Sequence, residues 1–325
     1  MSENKGVWVY SENEDLAIEM LSKGSELASK LQGQLVALLI GHDVTSRAHE
    51  LISYGADKVI VADRPQLETF HIDAHLGIVT SLVKEHKPEI LLIGSTKRGK
   101  ELAARLATRL NAGCTPDCNK LTIDEQGRLV TERVVYGGNA TAIQVFQTKP
   151  QIACVLPRTF EKPKPKDKKG EIMDANVSQL ETPKIEIVEV KPIEVAGVKI
   201  EDAKIIIVGG RGIEKKEDFQ ILENLAQVLG GQCGYTRPLA EDRKWFKGNW
   251  VGLSGHKIKP ELYIGCGNAG VIQHLAGIRD SKIIVAINKD SEAPLSEIAD
   301  YIVVGNLYEI VPALTATLKK LLTSS

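Results

Sequence analysis

The sequence predicts an α/β protein made of two doubly wound, mostly parallel, Rossmann-like domains. At 325 residues the chain is longer than one typical domain. Continuous apolar runs, several of which end in glycine, alternate with helix-like segments in both halves, as in a parallel sheet covered on both faces. We expect a first domain over residues 1–198 and a second over residues 199–325.

The first domain is predicted to alternate strand and helix four times. Its strand candidates are short apolar runs bounded by glycine or polar residues, and its helix candidates show apolar positions with a 3.6-residue period. In chain order the strands are 6–12, 34–41, 57–63 and 88–95, and the helices that follow them are 15–31, 46–54, 75–85 and 99–110.

Four later strand candidates, 120–124, 128–136, 141–147 and 151–156, are too closely spaced for helical crossovers. They therefore predict some antiparallel pairing. The segment 161–170, EKPKPKDKKG, is rich in Lys and Pro and predicts a solvated connection between the two domains. After it, 184–195 returns to a strand-like pattern, which we assign to the edge of the first domain.

The second domain is predicted to start with the apolar run AKIIIVGGRG, 203–212, followed by a helix over 217–229. A polar insert, 237–255, comes next. The segment 264–290 then predicts a strand, a glycine-rich turn, a helix and a second strand. A last strand over 300–306 and a helix over 309–322 complete the domain.

Composition excludes several classes of function. The net charge of −1 gives no electrostatic basis for binding nucleic acid, and no apolar run approaches the roughly 20 residues of a membrane span. We therefore expect neither nucleic acid as a partner nor membrane insertion. Five scattered cysteines and an acidic N-terminus without signal-peptide order favour a reducing compartment, the cytoplasm.

The turn GCGNAG, 265–270, fits the G-x-G-x-x-G spacing. Such a turn brings backbone N–H groups and a helix start close to a phosphate, so it predicts a nucleotide site. Asp290 follows Gly270 by 20 residues, near the place of a ribose-binding acid. A stand-alone NAD-dependent oxidoreductase is thus an alternative. Two features argue against it: the turn does not follow the first strand of its domain, because a whole βα unit precedes it, and His274 lies in the helix that the turn opens and not in a separate substrate region.

A second glycine turn, 209–212, carries Arg211 at the end of an apolar strand. Glycine permits close approach of the backbone to a ligand, and arginine adds a permanent positive charge. The pattern favours contact between Arg211 and an anionic ligand.

Several motifs occur together in one order. They are TRP at 236–238, WVGLSGHKIKPELYI at 250–264, GVIQHLAGIRDSKIIVAINKDSEAP at 270–294 and ADYIVVGNLYEIVP at 299–312. With LLIGSTKRGKELAARLATRL at 91–110 and YGGNATA at 136–142, they resemble the α subunit of electron transfer flavoprotein over nearly the whole length.

That resemblance implies an electron carrier rather than a stand-alone catalyst. The chain would bind one FAD in its second domain, form a heterodimer with a β subunit through its first domain, and exchange electrons with an acyl-CoA dehydrogenase or reductase and another redox carrier. An electron-bifurcating system is left open.

The resemblance also implies a set of cofactor-binding residues. Arg211, Thr236 and Arg237 would lie beside the flavin, and the Ser254 hydroxyl would point at N5. His274 would reach the O2 edge, where its reference pKa of about 6.5 leaves it responsive to the negative charge of reduced flavin. The other predicted contacts are Val251, Gly252 and Leu253 at the isoalloxazine, Ala269, Gly270, Val271, Ile272 and Gln273 at the pyrophosphate and ring, and Asn288, Asn306 and Leu307 at the ribose and adenine end.

Three positions depart from the family's common pattern: Leu253 stands in place of Gln, Ala269 in place of Ser and Asn306 in place of Asp. The missing Ser hydroxyl at position 269 removes a phosphate hydrogen bond, on the order of 1 kcal/mol. These variants shift affinity and potential without abolishing the site.

Overall fold

The computed structural model describes residues 6–175, 185, 187–191, 199–248 and 250–323. The chain divides into two compact units, one up to Val190 and one from Lys191 onward. The predicted boundary at 198/199 stays a prediction, because 192–198 lie outside the described residues.

The first unit follows the predicted alternation of strand and helix. Each of its first four strands is followed by a helix, and the two longest helices begin and end within a few residues of the predicted bounds. The elements are β1 (Val7–Tyr10), α1 (Glu14–Leu31), β2 (Leu35–Gly41), α2 (Ala48–Ser53), β3 (Lys58–Asp63), α3 (Ile72–His86), β4 (Ile90–Gly94), α4 (Lys97–Leu110), β5 (Cys114–Cys118), β6 (Lys120–Ile123), β7 (Leu129–Val135), β8 (Ala140–Val145), β9 (Gln151–Val155) and β10 (Glu171–Asp174).

A seven-stranded sheet in the order β10-β3-β2-β1-β4-β9-β5 forms the centre of this unit, and all its pairings are parallel. Side chains alternate across it, because successive strand residues point to opposite faces. Val7 and Val9 of β1 belong to one apolar layer, and Trp8 and Tyr10 belong to the other. Both faces are therefore covered, as the continuous apolar strands predict.

The predicted antiparallel pairing is confirmed in a separate three-stranded sheet, β6-β7-β8. The fourth of those close-spaced segments, β9, instead joins the parallel sheet between β4 and β5.

The Lys/Pro segment 161–170 is exposed, as predicted, but it lies within the first unit rather than between the two units. Lys166 N donates to Ser53 O at 2.8 Å, and Lys168 Nζ lies 2.7 Å from Asp57 Oδ1. The segment leads into β10, which pairs with β3 and forms the sheet edge. The prediction that 184–195 forms that edge strand is wrong for its described residues, 185 and 187–191, which are not in a strand.

The second unit is a six-stranded parallel sheet with helices, so the predicted fold class is confirmed for both halves. The predicted insert 237–255 contains a short helix and a two-residue strand. The helix predicted after the glycine turn is only one turn long. The elements are β11 (Ile205–Gly209), α5 (Gln220–Leu229), β12 (Gln232–Thr236), α6 (Arg237–Glu241), β13 (Trp250–Val251), β14 (Leu262–Cys266), α7 (Ile272–Leu275), β15 (Ile283–Asn288), α8 (Pro294–Ile298), β16 (Tyr301–Val304) and α9 (Leu307–Thr323).

The strand order of the second unit is β13-β12-β11-β14-β15-β16. From β11 the chain moves first toward β12 and then back to the other side, to β14. The order therefore reverses between β11 and β14, and ligands of open α/β sheets bind at the carboxyl ends of strands at such a reversal. Among the described helices, none is both long enough and apolar enough to cross a membrane.

Candidate functional site

Two glycine turns flank the point where the strand order reverses. One follows β11 at 209–212, and the other follows β14 at 265–270. They are bonded directly to each other: Gly210 N donates to Cys266 O at 3.0 Å, and Gly212 N donates to Gly267 O at 2.9 Å. Neighbouring parallel strands thus present both turns at the same edge of the sheet.

Glycine is required in the second turn. Gly267 has a φ of 61°, and an added Cβ would lie 2.8 Å from Gly212 Cα. Gly270 has a φ of 77°, and an added Cβ would lie 2.5 Å from Leu295 N. Positive φ and backbone contacts this close exclude other residues without a shift of the chain. The glycines therefore let this turn pack directly against Gly212 and Leu295.

A third segment, 251–254, lies beside these turns. Thr236 at the end of β12 pairs with Val251 of β13, and the chain continues into Gly252, whose φ is 146°. Leu253 N donates to Gln273 O at 2.7 Å, which ties this loop to α7. The structure therefore brings together the predicted residues 236, 251–254 and 269–274.

Large apolar side chains are exposed on both segments that this hydrogen bond joins, the loop 251–254 and the start of α7. Leu253 is 52% exposed, Val271 58% and Ile272 55%. Ser254 and Ala269 are exposed as well. Exposed apolar surface of this kind, next to a few polar groups, is typical of an interaction or ligand-binding site.

The Thr236 hydroxyl is a buried polar group at the site. Thr236 is 6% exposed, and its Oγ1 has no hydrogen-bond partner among the residues that the structure describes. Most buried polar side-chain atoms in folded proteins have a partner. The orphaned hydroxyl is therefore available to a bound ligand.

The two predicted cations lie at the surface and are paired with acids. Arg211 Nη2 is 3.3 Å from Asp242 Oδ2, and Arg237 Nε is 2.6 Å from Glu241 Oε2. The hydrogen bond from Arg237 to Glu241 raises the pKa of Arg237 above its ordinary value. Both guanidinium groups stay charged, and each acid reduces the field that its arginine exerts on the site.

His274 is 4% exposed, and both ring nitrogens are engaged. Nδ1 lies 3.0 Å from Val251 O, and Nε2 lies 2.7 Å from the Tyr263 hydroxyl. Burial lowers the pKa of His274 to about 4, although the bond to Val251 acts in the opposite direction. The pKa of His274 thus lies well below the reference value near 6.5 that the sequence alone suggests, and the imidazole is neutral at pH 7.

Sequence reasoning missed two residues, Tyr263 and Asn268, which hold the glycine turn from inside. Tyr263 is fully buried, and burial raises the pKa of its hydroxyl. Asn268 Nδ2 donates to that hydroxyl at 3.1 Å, while Asn268 Oδ1 accepts from Gly270 N at 3.0 Å. The only signal in the sequence was a polar residue inside a turn otherwise built from small residues.

The remaining predicted contacts lie at the ends of β15 and β16. Asn288 Nδ2 donates to Asn268 O at 3.1 Å, so Asn288 is joined to the glycine turn. Asn306 Oδ1 accepts from Tyr308 N at 3.2 Å where α9 begins, and Leu307 is 5% exposed. An added Cβ on Gly267 would lie 2.7 Å from Leu307 Cδ2, which places Leu307 against the turn.

Asp290, the acid of the alternative prediction, lies in a surface turn. Its Oδ1 accepts from Glu292 N at 2.9 Å, and its own N–H donates to Asn288 Oδ1 at 3.2 Å. These are the local bonds by which aspartate stabilises a turn. They account for Asp290 without a ribose.

Two family models match the chain. The model described as electron transfer flavoprotein domain matches residues 7–180, and the model described as electron transfer flavoprotein FAD-binding domain matches residues 199–279. Together these matches span most of both units.

Curated relatives agree with these models over nearly the full length. The electron transfer flavoprotein subunit alpha of Clostridium acetobutylicum is 41% identical over 97% of this chain and 97% of its own length. The lactate dehydrogenase (NAD+, ferredoxin) subunit LctC of Acetobacterium woodii is 35% identical over 95% of this chain and 76% of its own. The acryloyl-CoA reductase electron transfer subunit beta of Anaerotignum propionicum is 34% identical over 97% of this chain and 96% of its own.

Proposed function

The chain belongs to the electron transfer flavoprotein family, as an FAD-binding α subunit, and we propose that the carboxyl edge of its second sheet holds the FAD. Family membership implies a β subunit as partner. The observation that carries the proposed location is the reversal of the strand order between β11 and β14, flanked by two glycine turns that are bonded to each other.

The residues at this edge fit such a cofactor. The segment 269–272 would offer the pyrophosphate the small side chain of Ala269 and the backbone N–H groups of Val271 and Ile272, with Arg211 nearby as a cation. Leu253 and Ile272 present exposed apolar surface suited to the isoalloxazine ring. Asn288, Asn306 and Leu307 continue the site along β15 and β16 toward the ribose and adenine end.

When bound, FAD supplies one- and two-electron redox chemistry, while the protein supplies orientation and electrostatics. Arg237 applies a permanent positive field, which favours the negative charge that reduction adds to the ring. Glu241 weakens that field through its ion pair with Arg237. The Ser254 hydroxyl is exposed and would donate to the flavin ring, and the Thr236 hydroxyl would supply a second hydrogen bond.

His274 acts here as a neutral orienting residue. Its bond to Val251 joins α7 to the loop 251–254, and its bond to Tyr263 joins α7 to β14. The loop 251–254 is the one that would lie against the flavin ring. Because both ring nitrogens are used, its contribution to the flavin potential comes through the placement of these segments rather than through a charge.

We further propose that the chain is an electron carrier rather than a stand-alone catalyst. Its residues 1–198 would dock the β subunit, since the proposed flavin contacts all lie in the second unit. An acyl-CoA dehydrogenase or reductase is the proposed donor or acceptor, supported by the relative named for acryloyl-CoA reductase. The relative named for NAD+ and ferredoxin supports membership in a bifurcating system as a second candidate.

The proposed location is a reducing compartment, the cytoplasm. All five cysteines lie among the described residues and are free thiols. Such use of cysteine is typical of reducing surroundings.

Cofactor counting on the complex tests this function. The chain is co-expressed with a β subunit, and its flavin is identified by mass and by absorbance at about 375 and 450 nm, as for any flavoprotein. One FAD per α chain supports the proposal, and a second flavin per heterodimer adds support for bifurcation. A colourless complex that takes up no FAD contradicts it.

A further inference from the structure

A buried series of hydrogen bonds through Asn268, Tyr263, His274 and Val251, called the relay below, runs beneath the proposed flavin site. Asn268 Nδ2 lies 3.1 Å from the Tyr263 hydroxyl, which lies 2.7 Å from His274 Nε2. The series continues from His274 Nδ1 to Val251 O at 3.0 Å. Asn268, Tyr263 and His274 are each less than 5% exposed.

The chemistry of the two ends fixes the direction of every bond. A carbonyl oxygen only accepts, so Nδ1 of His274 carries the hydrogen toward Val251 O. In a neutral imidazole the other nitrogen is then an acceptor, so the Tyr263 O–H donates to Nε2. At the far end, Asn268 Oδ1 is used by Gly270 N at 3.0 Å, which leaves the amide NH₂ to donate to the Tyr263 oxygen.

We propose that Asn268 and Tyr263 are positioning residues that hold His274 as a neutral ring with its hydrogen on Nδ1. Asn268 prevents the Tyr263 hydroxyl from turning toward the glycine turn, because it already donates to that oxygen. The hydroxyl hydrogen is thereby aimed at His274 Nε2. Asn268 thus couples the conformation of the Gly270 turn to the tautomer of His274 and, through Nδ1, to the position of Val251.

This inference deepens the proposed function and rests on it only where flavin is the readout. It assigns no contact with the ring to Tyr263 or Asn268. Their effect reaches the ring through the Val251 loop and the helix turn at Ile272, which His274 holds together.

The sharpest test reverses the direction of the relay by Asn268→Asp. This change keeps an oxygen for Gly270 N and replaces the NH₂ donor with an acceptor. The Tyr263 hydroxyl then donates to the introduced carboxylate, and its oxygen accepts from His274 Nε2. Because Nδ1 still donates to Val251 O, the ring takes up one proton from solvent and becomes an imidazolium, whose charge the carboxylate balances. We expect ¹⁵N spectra of histidine-labelled protein, taken at pH 7 on the full chain with its β subunit, to show Nε2 of His274 unprotonated in the unsubstituted protein and protonated in Asn268→Asp. His274→Gln assigns the signals.

A second variant, Tyr263→Phe, removes one oxygen and keeps the ring. It leaves His274 Nε2 and the Asn268 amide unpaired, so FAD should bind about tenfold more weakly, the ratio that corresponds to one lost buried hydrogen bond. Tyr301→Phe is the matched control, since Tyr301 lies on β16 with 63% of its surface exposed. It should leave both the FAD affinity and the His274 spectrum unchanged.

The outcomes of these experiments test the relay and the proposed flavin site separately. Protonation of Nε2 in Asn268→Asp, with weaker FAD binding in Tyr263→Phe, supports the inference. An Nε2 that is already protonated in the unsubstituted protein, or that stays unprotonated in Asn268→Asp, overturns it whether or not FAD binds. If the unsubstituted complex takes up no FAD, the proposed function fails, while the ¹⁵N spectra still decide the relay.

Discussion

The Tyr263 hydroxyl lies 2.7 Å from Nε2 of His274, and neither residue is more than 4% exposed. A histidine in this family site is therefore held neutral by the protein around it. If FAD binds at the proposed site, the charge that favours its reduced form would come from the surface arginines Arg211 and Arg237.

This burial predicts a loss of stability in mild acid. Because the pKa of His274 lies at about 4 in the folded chain and near 6.5 when unfolded, the unfolded state binds the extra proton between these values. The free energy of unfolding should fall as pH drops through this window, by about 1.4 kcal/mol per pH unit for each such group. Urea unfolding at pH 7 and pH 5 measures the loss.

His274→Gln should remove the part of this acid-induced fall in the free energy of unfolding that His274 causes in the second unit. His75, whose pKa burial likewise lowers to about 4, lies in the first unit, and His75→Gln is the matched variant there. An unchanged pH dependence in His274→Gln would show that His274 is not buried as a neutral ring.

Thr236→Val should separate stability from cofactor binding. Because Thr236 Oγ1 has no hydrogen-bond partner within the described part of the chain, its removal should leave the apoprotein as stable as before or slightly more so. FAD affinity should fall about tenfold if the hydroxyl bonds the flavin. Thr80→Val removes a buried hydroxyl that donates to Leu76 O at 2.6 Å in the first unit, and it should leave FAD affinity unchanged. Equal FAD affinity in both variants would remove Thr236 from the site.

Gly270→Ala should disrupt the glycine turn that is proposed to hold the pyrophosphate. The added Cβ combines a φ of 77° with a position 2.5 Å from Leu295 N, so the turn must shift, at more than about 3 kcal/mol. Gly230→Ala is the control, because Gly230 has a φ of 66° but nothing within 4 Å of the added atom. It should cost about 1 kcal/mol and retain FAD. FAD titration and thermal unfolding distinguish the two, and full FAD binding by Gly270→Ala would contradict the assignment of the turn.

Arg237→Ala should retain FAD but lower its midpoint potential, because a permanent positive charge beside the reduced ring is lost. Glu241→Gln should raise it, since the same arginine is freed from its ion pair. Shifts on the order of 30 mV correspond to a threefold change in a one-electron equilibrium. The control is Arg128→Ala, which breaks a similar pair with Asp124, 2.8 Å long, in the first unit. Shifts of the same sign in both site variants would contradict this role of the pair.

The sequence was sufficient for the parts of the fold that depend on local pattern. The apolar runs of β4 and β14 predict strands buried on both faces, and the glycines at 265–270 predict the turn that follows the second of them. The short spacing after position 120 predicts the antiparallel sheet because helices do not fit between those strands.

Features that depend on contacts distant in sequence could not be read in this way. The Lys/Pro segment looks like a free connection, but Lys168 reaches Asp57, 111 residues away, and guides β10 to the sheet edge. The pKa of His274 is set by surroundings that include Val251 and Tyr263, 23 and 11 residues away. A sequence motif specifies residue types, whereas only the packed structure shows which group each ring nitrogen of His274 bonds to.

A crystal structure of the FAD-loaded complex with the β subunit tests the central claim most directly. We expect the pyrophosphate against the turn at 269–272 and the isoalloxazine against the loop at 251–254, with the Thr236 hydroxyl bonded to the cofactor. FAD bound to the first unit, or bound away from the carboxyl ends of β11 and β14, would contradict the proposed location.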